Sequence, residues 1–172
     1  MDYRFQSWIT LFLLVAVLAG CAKDQAAAPK TQATGTDAHG HKHERDNMLI
    51  ADAGKYHALL TAHLSMKDGN EIDIFFETPV AKPSPVAIPL ASFTAEVRLP
   101  DGSFQKAEFA PAPPDERPKD EAPGTCSHFV AKVPWLKADD AYLVVVKIDL
   151  DGKPATIRWK DFVPKKYAHH ID

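Results

Sequence analysis

Between residues 56 and 162 apolar and polar side chains alternate with a period of two, interrupted at intervals by turn residues. Asp68-Gly69, Asp101-Gly102 and Asp151-Gly152 each separate two such runs. Asp-Gly between alternating runs is a strong hairpin signal, because tight hairpin turns require positive φ. The pattern therefore predicts three hairpins, joining 56–66 to 71–78, 93–99 to 104–109, and 141–150 to 153–162. A run at 126–133 supplies a seventh strand, and 86–90 is a candidate short edge strand containing Pro89.

Alternation also predicts the core faces. Tyr56, Ala58, Leu60, Ala62, Leu64 and Met66 share one side of the first strand, and Ile72, Ile74 and Phe76 one side of the second. Phe93, Ala95, Val97 and Leu99 follow, then Phe129, Ala131 and Val133. Tyr142, Val144, Val146, Ile148 and Leu150, with Ala155, Ile157 and Trp159, complete the set. No segment sustains a 3.6-residue period, so little helix is expected. The fold class expected is all-β: an immunoglobulin-like antiparallel β-sandwich of seven to eight strands, with a small β-barrel as the alternative. Two Pro-rich segments break the rhythm, 78–89 and 110–125. The second is long for a connection in a compact domain, and reads as a stiff crossover, a lid or a partner-binding loop.

The first 47 residues follow a different logic. Residues 9–18 are apolar apart from Thr10, the length of a secretory core region and too short to span a bilayer alone. The run ends in Leu18-Ala19-Gly20-Cys21, which looks like the lipobox of bacterial lipoproteins. Residues 1–20 are thus expected to be a signal peptide, with Cys21 lipidated and the chain anchored to a membrane. Each buried CH₂ contributes about 0.8 kcal/mol, so several acyl chains make a durable anchor. Ala22 rather than Asp follows the cysteine; by resemblance to bacterial lipoprotein sorting, this implies the periplasmic side of the outer membrane. Residues 21–47 lack periodicity and read as a flexible tether, reaching roughly 25–30 Å. The β-domain is expected over 48–164, with 165–172 a tail.

Composition narrows the function classes. A net charge of −3 without a dense Lys/Arg cluster argues against nucleic acid as a partner. No nucleophile-elbow, His-Glu-x-x-His or phosphate-loop motif is present, so no enzyme activity is expected. With Cys21 assigned to lipid, Cys126 has no partner for an internal disulfide.

The chemistry in the sequence is imidazole. His39-Gly40-His41-Lys42-His43 places three histidines on the tether, where they can converge on a zinc, copper or nickel ion. His57 and His63 fall on the polar side of the first strand, about 20 Å apart and so unable to share an ion. Cys126 and His128, two apart on a strand, share a face at about 7 Å and are candidate joint ligands. A third ligand must then come from His57, His63 or the tail pair His169-His170.

His39–His43, Leu49-Ile50, Tyr56-His57-Ala58 and Ser127-His128-Phe129 occur in the order seen in a family of small periplasmic domains. The chain resembles these domains, which lie beside or within heavy-metal efflux membrane-fusion proteins; Leu59 stands where they often carry an acid. The resemblance implies a β-sandwich that handles a transition metal in the cell envelope, with a metal-efflux complex as partner. The alternative is a non-catalytic interaction module for another envelope protein, in which the histidines are incidental.

Overall fold

The computed structural model describes residues 44–45 and 47–172. The expected signal peptide and tether, with Cys21, His39, His41 and His43, lie outside the described residues. The strands are β1 (Glu44–Arg45), β2 (Met48–Ala53), β3 (Tyr56–Leu64), β4 (Glu71–Glu77) and β5 (Phe93–Arg98). They continue as β6 (Phe104–Pro111), β7 (His128–Lys132), β8 (Tyr142–Leu150), β9 (Lys153–Phe162) and β10 (Ala168–Ile171). Among the described residues the one helical element is a short 3₁₀ turn, Pro114–Glu116, and no helix is long and apolar enough to cross a membrane. The chain is all-β, as the alternation predicts.

All three hairpins form in the expected order. The tightest joins β8 to β9, with Leu150 opposite Lys153 and both central residues, Asp151 and Gly152, at positive φ. That is the backbone of a type I′ turn, whose twist matches that of the strands it joins.

Hydrogen-bonded neighbours run β1-β2-β3-β4-β7-β6-β5-β8-β9 in one antiparallel path. The path curls until it is nearly closed, so the barrel alternative describes it better than two separate sheets. β6 makes the corner. Phe104 to Phe109 pair with β5, whereas Ala110 and Pro111 pair with β7. At the open seam β2 and β9 run side by side, and their turns are cross-linked. Tyr56 Oη–H donates to Asp151 Oδ1 at 3.2 Å, and Lys55 Nζ lies 3.0 Å from Asp151 Oδ2. Hydrogen bonds from Lys55 and Tyr56 hold the Asp151 carboxyl below its usual range. Its small contribution to stability is therefore present above the ordinary carboxylate pKa and is lost as pH falls through the lowered one.

The predicted inward faces fill one core, from Ala58, Leu60 and Ala62 through Ile72, Ile74 and Phe76 to Val144, Val146, Ile157 and Trp159. Trp159 is 1% exposed, and its Nε1–H donates to the Ala58 carbonyl at 3.2 Å, tying β9 to β3 across the interior. Met66 departs from the expected face. It is 95% exposed, because β3 ends at Leu64 and the chain has already turned. The edge strand expected at 86–90 reduces to isolated bridges, Glu77 with Pro85 and Ile88 with Cys126. Pro85 and Pro89 have no N–H to extend a ladder.

The tail is part of the fold. β10 runs parallel to β3, with Ala168 opposite Ala62 and His170 opposite His63. It takes up the β3 edge beyond Leu60, where pairing with β2 ends. Tyr167 and Ala168 are buried, and the Tyr167 carbonyl accepts from Ala62 N–H at 3.1 Å.

Candidate metal-binding cleft

The register of β3, β4 and β7 fixes what the outer face of that sheet carries. His63 lies opposite Glu71, Thr61 opposite Asp73, Leu59 opposite Phe75, and His57 opposite Glu77. Glu71 in turn faces Lys132, Asp73 faces Val130, and Phe75 faces His128. Each of these positions alternates with a core residue, so the polar set shares the opposite side. That side is not simply solvent-facing, however. His57, Leu59, Thr61, Asp73 and His128 are all buried, because the tail and the segment after β6 fold over it. Thr61 Oγ–H donates to the Tyr167 carbonyl, and the Glu116 carbonyl sits 3.3 Å from His128 Nδ1.

Between these covers lies a cleft of about 760 Å³ lined by His63, Asp68, Glu71, Asp73, Phe75, Glu116, His128, Lys132 and His169. Lys132 pairs with Glu71, leaving a lining rich in carboxylate and imidazole. Asp73 is its centre. His128 Nε2 lies 2.9 Å from Asp73 Oδ1, a hydrogen bond inside the protein. The His128 ring is fixed by stacking on Phe75, with centroids 4.0 Å apart and planes inclined by 17°. Asp73 Oδ2 is buried without a hydrogen-bond partner, and His169 Nδ1 lies 4.0 Å from it. The His63 ring lies 5.5 Å from that of His169 and 4.7 Å from that of His170.

Burial pushes the His169 imidazole below the usual histidine range; the Asp73 carboxylate works the other way, and His63, His128 and His170 add to the lowering. A histidine held neutral keeps the lone pair that a metal ligand needs.

The other expected ligands fall elsewhere. His57 sits at the far end of β3, its ring nitrogens 3.8 Å from Asp52 Oδ1 and 3.8 Å from Glu77 Oε1. Cys126 does not join His128 in the cleft. Their shared face requires an unbroken strand, but β7 begins at His128 and Cys126 belongs to the hydrophobic core. Its thiol donates to the His128 carbonyl at 2.8 Å. The loop before β7 imposes this break: Glu121 accepts hydrogen bonds from the Ser127 N–H and Oγ–H. Among the described residues, no group of three or more His, Cys, Asp or Glu side chains stands close enough to hold a metal ion as the side chains lie.

Sequence reasoning singled out His63 and His128 and named the tail histidines as a source of a third ligand, but missed Asp73. Its signal was present, as the lone short acid between Ile72 and Ile74 on the polar side of a strand. The chain matches no protein-family model, no curated protein and no solved structure.

Proposed function

We propose that this is a lipid-anchored cell-envelope protein that binds a transition-metal ion, held to the membrane through Cys21 and acting beside a metal-efflux complex. One observation supports the folded domain as a metal receptor: Asp73 has a buried carboxylate oxygen with no hydrogen-bond partner, and it lines one cleft with the imidazoles of His63 and His169. Imidazole and carboxylate together suit zinc, copper and nickel, and the acidic lining favours cations over anions. The histidines His39, His41 and His43, three imidazoles within five residues, add a second capture point for the same ions close to the membrane.

Titration calorimetry of the detergent-purified full chain with zinc, copper or nickel is expected to show micromolar or tighter binding. No uptake tighter than millimolar by any of the three would reject the proposal. An ion at hundredfold excess over Kd that binds only the native domain adds about 2.7 kcal/mol and raises Tm by several degrees. Metal held by the tether alone would leave Tm where it was. For the anchor, Cys21→Ala is expected to move the protein from the membrane fraction to the soluble one, and unchanged membrane association would refute lipidation there.

A further inference from the structure

Resting on the metal-binding reading above, we infer that Asp73, His63 and His169 form the ion site of the folded domain, and that an ion held there clamps the C-terminal strand β10 to β3. The three residues come from β4, β3 and β10, so an ion they share is a cross-link between the tail and the sheet.

The separations suit one tetrahedral ion. Zinc bonds of about 2.0–2.2 Å place ligand N and O atoms roughly 3.3 Å apart and two ligated imidazole centroids roughly 5 Å apart. His169 Nδ1 stands 4.0 Å from Asp73 Oδ2, and the His63 and His169 centroids are 5.5 Å apart. Bringing His169 into ligation takes a shift of roughly half an ångström, and the His63 imidazole must also rotate towards Asp73. His169 has that freedom, with its side chain 40% exposed, whereas Asp73 is 5% exposed and immobilised. His128 occupies Oδ1 and leaves Oδ2 without a hydrogen-bond partner, 4.0 Å from His169 Nδ1. A ligating carboxylate is commonly hydrogen-bonded in this way at its other oxygen, which fixes its orientation. Three protein ligands leave a fourth position for water, for His170 whose ring already touches His63, or for a donor from a partner receiving the ion.

The clamp follows from how lightly β10 is otherwise held. It has four residues, pairs with one edge only, and shows a register shift between Ala168 and His170. Beyond that irregularity its attachments include Asp172 N–H to the Leu64 carbonyl at 3.2 Å and the Asp172 carboxylate to Met66 N–H at 3.2 Å. A segment so placed opens readily, and a bond through metal from His169 to the buried Asp73 would suppress that opening.

Hydrogen–deuterium exchange of the full chain, with and without zinc chloride, tests the inference together with zinc affinity. Zinc is expected to slow exchange over residues 168–172 by about tenfold or more. Asp73→Asn and His63→Gln should each weaken zinc binding more than about 100-fold and abolish that slowing. A triple Gln substitution at His39, His41 and His43 should leave it intact. Asp73→Asn keeps an acceptor for His128, and His63 is only half-buried, so at least one variant will retain a readable fold. If zinc binds but only the tether variant loses it, and exchange over 168–172 does not change, the site is wrong while the metal-binding reading stands. If the unmodified chain takes up no zinc, this site is rejected, and the metal-binding reading falls with it when copper and nickel are not taken up either.

Discussion

Trp159→Ala is expected to cost the fold about 3–5 kcal/mol, the usual range for deleting a buried aromatic side chain. The indole is closed off from solvent and is one of the largest side chains in the core. It also donates the hydrogen bond that joins β9 to Ala58 on β3, across the interior of the nearly closed path. Alanine there leaves a cavity and a buried carbonyl deprived of its indole partner, two penalties that add. Domains of this size have only about 5–15 kcal/mol in total, so the denaturation midpoint should fall steeply. Trp159→Phe separates the two effects: most of the packing is kept, and the loss should drop to about 1–2 kcal/mol. A Trp159→Ala loss below 1 kcal/mol in urea unfolding would contradict a core shared by both sides of the barrel.

His128→Leu is expected to be comparably severe, about 3–5 kcal/mol, because it strands a buried carboxylate. Asp73 receives its one close charge-assisted hydrogen bond from His128, and its remaining imidazole neighbour, His169, stands farther off at 4.0 Å. The double variant Asp73→Leu/His128→Leu is the informative control. Replacing both partners of a buried hydrogen bond by apolar groups of similar shape is often close to neutral, so the double variant should be more stable than His128→Leu alone. A thermodynamic cycle over the four proteins measures the coupling. Additive losses would show that the pair does not act as a unit. A double variant that folds well but binds no metal would indicate that the pair is kept for its chemistry.

Much of the fold was legible because alternation is a local property. Ile72, Ile74 and Phe76 face the core and Asp73 and Phe75 the other way, because a pleated strand has no other option. The same rule placed His57, His63 and His128 on the outer side. Three features escaped it, each for a physical reason. β2 reads Met-Leu-Ile-Ala-Asp-Ala and is buried at Leu49, Ile50 and Ala51 in succession. A strand covered on both faces does not alternate. β10 is four residues of mostly polar sequence, Ala-His-His-Ile, and is a strand only because β3 offers it a free edge. Cys126 and His128 obey a two-residue period on paper, but the period holds only within a strand, and β7 starts too late to include the cysteine.

Closure of the path was likewise out of local reach. Whether seven or eight antiparallel strands form two sheets or one curled sheet depends on how β6 turns its corner and on β2 meeting β9. Those residues are about a hundred positions apart. The candidate cleft has the same character. His63, Asp73, His128 and His169 span most of the described chain, and the pairing of β3 with β4 and β10, and of β4 with β7, brings them to one place. Sequence supplied the chemistry, imidazoles on outward positions, while the sheet supplied the convergence and the buried acid at its centre.

The account turns on an ion seated between Asp73, His63 and His169. Anomalous X-ray scattering at the zinc edge, from crystals of the full chain grown with zinc, locates it directly. A single strong peak is expected within about 2.2 Å of Asp73 Oδ2 and of one nitrogen on each of His63 and His169. Zinc found only on surface histidines away from Asp73, with the Oδ2 oxygen bonded to anything other than metal, would contradict it.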